Sequence, residues 1–299
     1  MEKVVQCTPN FSEGRRTDVV ESIVRAISGA GDVKVVDYSW DTDHNRSVVT
    51  FIGNPESIRK SAFAAAESAL ELIDMNQHTG GHPRVGAIDV VPVTPVQGIS
   101  REEAVDLSHT IGREIAERLS LPVYFYEWSA YSRHRRNLAV IRREQFELLK
   151  TEKLIGERTP DAGPHAIHPT GGVCVVGARG PLVAYNVNLA TSDIRIAQSI
   201  AAKIRNVRDS GEGMHGVKAI GVWLESRGVA QVSTNITDPT AVTLSDVFEF
   251  VAREADSAGV AVLESELIGA IRSENLPQCT ANDLKCPTLT HLRVIDNYL

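Results

Sequence analysis

The sequence predicts an α/β (α+β) protein of two ferredoxin-like subdomains, each a mixed β-sheet carrying helices on its outer face. Three observations lead there. Apolar patterns run β-α-β-β-α-β through the first part of the chain and again through the second, the order of split βαβ units. At 299 residues the chain fits one large domain or two of moderate size. Hydrophobic residues at 42% and charged residues at 23% are ordinary for a globular protein with a sizeable core. A sheet covered on one side still has a face to bury, so the two sheets are expected to face each other across a ligand cleft. The division is expected at 1–180 and 181–299.

The elements follow in order. KVVQCTP opens as a short strand and runs into a loop, PNFSEGRR; Val20, Ile23, Val24 and Ile27 then recur at helical spacing. VKVVDY (33–38) and RSVVTFIG (46–53) are rich in β-branched residues and read as strands. Asn54-Pro55 supplies an N-cap and a first-turn proline for a helix that carries Ile58, Phe63, Ala66, Leu70 and Ile73. AIDVVPV (87–93) is a strand, Ser100 to Glu103 a capping box, and LPVYFYEW (121–128) another strand. The proline- and glycine-rich stretch 151–172 lies between the halves as an irregular connection, and its length suggests that it binds something. In the second half, 181–189, 217–225, 229–237 and 259–267 read as strands. Helices are marked by Ala197, Ile200, Ala201 and Ile204, and by Leu244, Val247, Phe248 and Val251.

A net charge of −7 and a pI near 5.7 argue against nucleic acid as a partner. The basic run Tyr131 to Arg136 reads as a solvated turn or helix face. No apolar signal core and no membrane-length apolar run are visible, so a cytoplasmic protein with no membrane partner is expected. Cys7, Cys174, Cys279 and Cys286 lack metal-type spacing and are expected to be reduced thiols.

The stretch HTGGHPRVGAID (78–89) is built like no regular element. His78 and His82 have the spacing of paired metal ligands on a helix, but Gly80, Gly81 and Pro83 remove the helix, so no metal is expected. Glycine patterns match neither a P-loop nor a dinucleotide fingerprint. Cys7 and Cys174 fall inside strands and read as core thiols, and no serine occupies a nucleophile elbow. Acid–base chemistry at His82 is left, because imidazole exchanges protons near neutrality. On the residues alone, an ordinary loop histidine is the simpler reading and both stand open.

Several stretches narrow the choice. CTPNFSEGR (7–15), DHNRSVVTFIGNPE (43–56), LIDMNQHTGGHPRVGAIDVVPVTPV (72–96), PDAGPHAIHPTGGVCVVGARGPLVAYNVNL (160–189) and VKAIGVWLESRGVAQVSTNITD (217–238) resemble the glutamate formimidoyltransferases, the formiminotransferase family. The resemblance runs in order from about residue 3 to 270, in a stand-alone form without a cyclodeaminase. It implies transfer of a formimino group between 5-formimidoyltetrahydrofolate and L-glutamate, with tetrahydrofolate as co-substrate, no metal, and a homodimer. His82 matches the family's catalytic histidine. Folate contacts are implied for Gly163, Pro164, His165, Ala166, Ile167, His168, Pro169, Thr170, Gly171 and Gly172. They are implied too for Val217, Lys218, Ala219, Ile220, Gly221, Val222, Trp223 and Leu224. Glutamate carboxylates invite arginine forks, with Arg46, Arg84 and Arg179 as candidates. Asn10, Asn45, Asn186 and Asn188 are further candidates for substrate contact. Animal members have an aspartate where this chain has Ser39, leaving Asp37, Asp41 or Asp43 to assist His82. The alternatives are folate-dependent formyl transfer and a catalytically silent folate binder. The final residues, 277–299, are assigned no role.

Overall fold

The structure, a computed structural model, describes residues 2–151 and 153–299; Met1, and Glu152 of the proline- and glycine-rich stretch, lie outside them. The chain divides into a unit of residues Met1–Arg179 and one of residues Gly180–Leu299. Both combine a β-sheet with helices.

The first unit runs β1 (Val4–Cys7), β2 (Asn10–Phe11), α1 (Thr17–Ala30), β3 (Val33–Asp41), β4 (Arg46–Gly53), α2 (Pro55–Leu72), β5 (Ile88–Gln97), α3 (Arg101–Leu119) and β6 (Val123–Phe125). Two short helices, α4 (Leu138–Ile141) and α5 (Gln145–Leu149), precede β7 (Cys174–Ala178). The caps are those the sequence announces. The Asn54 side chain accepts from Ser57 N, and Ser100 and Glu103 close a reciprocal capping box. Each such cap is worth about 1 kcal/mol.

The sheet has seven strands in the order β1-β4-β2-β5-β7-β6, with β3 paired to β4. It is mixed, because β7 lies parallel to both β5 and β6 while the remaining pairs are antiparallel. Strand alternation sorts its side chains into two cores. Val93, Val123, Phe125, Cys174 and Val176 join Ile23, Ile58, Ile111 and Ile115 of the three long helices. Val90, Tyr124, Tyr126 and Val175 join Leu149 and Leu154 in the other core, with Leu138 and Ile141 packed against it. Residues 138–149 and Leu154 therefore cover part of the second face.

The second unit runs β8 (Val183–Leu189), α6 (Ile194–Ser210), β9 (Val217–Leu224), β10 (Val229–Ile236), α7 (Leu244–Ser257) and β11 (Val262–Ile268), with strand order β11-β8-β10-β9. Tyr185, Val187 and Val232 pack with Ile200, Ile204, Val247 and Val251 of the two helices. The final residues fold into this core: Leu284, Cys286 and Val294 are buried in it. Ser265 N bonds Lys285 O at 2.8 Å, Leu267 N bonds Thr288 Oγ1 at 2.7 Å, and Lys285 Nζ bonds Val262 O at 2.7 Å.

Four expectations change. The second sheet is wholly antiparallel, not mixed. The first exceeds a four-stranded unit because β2, read as loop, inserts between β4 and β5, and β6 and β7 extend the sheet. Of stretch 151–172, the described residues 153–172 are no connection between halves: they lie within the first unit, lead into β7 and are tied down by bonds such as Met75 N to Thr170 O (2.8 Å) and Ala87 N to Gly171 O (2.9 Å). In the basic run, Arg135 is buried and pairs with Asp161 at 2.6 Å rather than lying solvated.

Gly86 sits against this stretch so closely that a Cβ would collide with the carbonyl oxygens of Val173 and Gly171, which are backbone and cannot swing aside. Gly86→Ala is expected to destabilise the first unit by about 1–3 kcal/mol, in the manner of overpacking. Denaturant unfolding checks this; an unchanged midpoint would refute it.

Candidate active site

His82 lies between α2 and β5 in a stretch without regular structure, and it is half-buried. Its Nδ1 is 2.7 Å from the carbonyl oxygen of Pro83. A carbonyl only accepts, so Nδ1 holds the proton and Nε2 of the neutral ring presents a bare lone pair. The His44 ring meets it edge-on, with centroids 6.0 Å apart. Burial lowers the His82 pKa well below its ordinary value. The positive charges of Arg46 and Arg142 push the same way, against Asp89 and the Pro83 bond. The ring is therefore neutral at pH 7.

Those three charged residues form one cluster. Asp89, on β5, is fully buried. Its Oδ2 accepts from Arg46 Nη1 at 2.7 Å and from Arg142 Nη2, while Oδ1 accepts from Val85 N at 2.9 Å. Burial alone would raise the Asp89 pKa; Arg142 and Arg46 outweigh it and hold the carboxyl well below its usual range. Arg46, on β4, also donates from Nε and Nη2 to Asn10 Oδ1, at 3.2 and 2.8 Å. Burial brings Arg46 down to about 10 despite Asp89. Two guanidiniums share one carboxylate, leaving an excess positive charge beside a neutral imidazole.

Residues 4–179 match the family described as "Formiminotransferase domain, N-terminal subdomain", and 184–285 match "Formiminotransferase domain". The chain belongs to the formiminotransferase family. It is 42% identical over its full length to a glutamate formimidoyltransferase of Streptococcus pyogenes serotype M1, covering 99% of that protein. It is 38% identical to the Thermoplasma acidophilum protein of the same name, with 91% of this chain and 89% of that one covered. A formimidoyltransferase-cyclodeaminase of Gallus gallus is 41% identical, with 91% of this chain matching 50% of that one.

The first unit of this formiminotransferase-family chain brings several expected residues together. Asn10 and Arg46 adjoin the Asp89 cluster. Residues 168–172 form a tight turn in which His168 N and Gly172 N each bond the other's carbonyl, at 3.0 and 3.1 Å. His168 Nδ1 accepts from Gly171 N at 2.9 Å, so this imidazole caps its own turn. The turn joins Met75 and Ala87, the two ends of the segment that holds His82. Gly163, Pro164, His165 and Ala166 are exposed and Ile167 half-buried. Arg179 follows β7, its charge against the Tyr126 hydroxyl, whose pKa burial pushes up to about 12.

Other candidates are committed to the protein itself. Arg84 is buried: Nε donates to His78 Nδ1 (3.0 Å), Nη1 to Gln145 Oε1 and Glu147 Oε2 (both 2.9 Å), and Nη2 to Glu147 Oε1 and His78 O. All five donors are used, which makes Arg84 a clamp between the His82 segment and α5. Since His78 Nδ1 accepts, its Nε2 carries the proton and donates to Asn45 O at 2.8 Å. Asn45 Oδ1 accepts from Gly14 N, and its Nδ2 donates to Thr79 O. Asp37 stands on β3 opposite Thr50, Ser39 is opposite Val48, and Asp41 Oδ1 accepts from His44 N at 2.7 Å. In the second unit, Asn186 and Asn188 donate to Glu266 and Glu264. Along β9, Ile220 and Trp223 are exposed, whereas Val217, Ala219 and Leu224 are buried. Among the described residues no group of three or more His, Cys, Asp or Glu is disposed to hold a metal, and no helix is long and apolar enough to cross a membrane.

Sequence reasoning missed Asp89 and Arg142. Asp89 had a visible signal, an acidic residue inside the apolar strand AIDVVPV, which is rarely buried unless paired. Arg142 had none, because its partner lies 53 residues away.

Burial also lowers the His78 pKa, so both imidazoles take up protons less readily in the native state than in the unfolded chain. The unfolded chain then binds more protons below a pH of about 6.5, and stability falls as pH drops through that value. The expected result is a lower denaturation midpoint at pH 5.5 than at 7.5, with His82 unprotonated at pH 6.5 by NMR. A His82 resonance titrating at its ordinary value would contradict this.

Proposed function

We propose that this chain transfers a formimino group between N5 of 5-formimidoyltetrahydrofolate and the amino nitrogen of L-glutamate, with His82 as general acid and base. The substrates come from the names of its relatives and from the family resemblance. The observation that carries the chemistry is the His82 tautomer: with Nδ1 bonded to Pro83 O, the Nε2 lone pair is the group free to accept a proton.

The reaction needs one proton moved twice. The attacking nitrogen forms a bond to the formimino carbon and gives its proton to His82 Nε2. The tetrahedral adduct then collapses: the bond to the departing nitrogen breaks, and that nitrogen takes the proton from the imidazolium. The low His82 pKa keeps the ring in its basic form at neutral pH. Holding both nitrogens at one carbon adds the gain of proximity. The turn 168–172, bonded to both ends of the His82 segment, offers backbone groups and the exposed Pro169 ring for folate.

Transfer from N-formimidoyl-L-glutamate to tetrahydrofolate, followed spectrophotometrically, tests the reading, with N-formyl-L-glutamate as the competing donor. His82→Ala, shown folded by circular dichroism, is expected to lose roughly 10²–10⁴-fold in kcat. Turnover indifferent to His82 would rule out its role, and wild-type turnover with the formyl donor alone would rule out the reaction.

A further inference from the structure

The charge cluster beside His82 is asymmetric in how its two arginines are used. Arg46 is held on both sides, by Asn10 and by Asp89. Arg142 is held on one side, through Nη2 to Asp89 Oδ2. Its Nε is buried and finds no hydrogen-bond partner among the described residues. The Arg142 side chain is 14% exposed and that of Asp89 is fully buried, so one carboxylate leaves a positive charge uncompensated in a largely desolvated place. A buried donor of this kind is costly to leave unpaired, and an anion would satisfy it. With Nη2 given to Asp89, Nε and Nη1 of this guanidinium make no hydrogen bond among the described residues and remain as donors for an oxyanion. Arg142 sits just after α4, in the segment that Arg84 clamps through Gln145 and Glu147, so its position is fixed from both directions.

We propose that Arg142 anchors a carboxylate of the amino-acid substrate, presented beside His82 by its bond to Asp89. This rests on the formimino-transfer reading. Asp89 sets the direction of the guanidinium and Arg46 keeps Asp89 ionised. Arg142 offers its remaining donors to the ligand. The arrangement selects for an anionic amino acid: a neutral side chain or an esterified carboxylate would leave the buried positive charge unmatched. The anchored group also brings a negative charge toward the imidazole, which favours the imidazolium that forms as His82 takes the proton.

The test uses the whole protein with Arg142→Gln and Arg142→Lys, each checked for folding by circular dichroism. KM is measured separately for N-formimidoyl-L-glutamate and for tetrahydrofolate, and L-glutamate binding is measured by calorimetry without turnover. Arg142→Gln is expected to weaken L-glutamate binding and to raise KM for N-formimidoyl-L-glutamate on the order of 10- to 100-fold, the scale of a charged hydrogen bond, with KM for tetrahydrofolate unchanged. Arg142→Lys, which keeps the charge but not the fork, is expected to fall between. Unchanged glutamate binding in both variants overturns the proposal, as does an effect confined to tetrahydrofolate, which would place a folate carboxylate there. Should the wild-type protein bind L-glutamate through Arg142 yet transfer no formimino group, the anchor stands and the transfer reading falls.

Discussion

A buried carboxylate shared by two guanidiniums organises the first unit. Asp89 cannot be ionised in that interior without Arg46 and Arg142, and neither arginine could be desolvated without Asp89. The three residues come from β5, β4 and the turn after α4, so their pairing ties two neighbouring parts of the sheet to the cover over its second face. Such clusters are poor sources of net stability, since desolvation offsets most of the attraction. What this one supplies is position and field. It orients a guanidinium, and its two arginines add to burial in holding the nearby imidazole uncharged.

The segment carrying His82 has no helix or strand of its own to hold it, and its order comes from three other sources. The Arg84 clamp grips it from α5, and Asn45 receives the His78 ring from the side. The glycine-lined approach of 86 to 171–173 packs backbone on backbone beneath it. These contacts leave the imidazole as a residue whose own ring is free on one edge while its surroundings are fixed. Preorganisation of that kind lets a loop residue act with the geometry of a rigid element.

Much of the fold was legible in the sequence. Strands β3, β4, β8, β9 and β10 follow β-branched runs, and the caps at Asn54 and Ser100 are local chemistry that a few residues determine. What escaped depended on distant partners. Two residues of β2 become a strand only because β4 and β5 flank them. Arg135 lies in a run that reads as surface until Asp161 is brought to it. The site divides in the same way. His82 stands out through its glycine-rich setting and its family resemblance, whereas Arg84 and Asn45 look like ligand groups until their partners are known. Arg142 is anonymous in sequence because Asp89, far along the chain, defines it.

The last residues of the chain bear on how the second sheet ends. The second sheet has two outer strands, β11 and β9. Along β11, the tail supplies Lys285 O, Thr288 Oγ1 and the Lys285 ammonium to backbone groups that would otherwise look outward. Along β9, Arg205 and Arg208 of α6 bond the carbonyls of Ala219 and Val217, at 2.6 and 3.0 Å. Unpaired strand borders are templates on which foreign chains add and aggregates grow. Here the folded tail bonds along β11 and two arginines take carbonyls of β9, so each border of the sheet finds partners within its own unit.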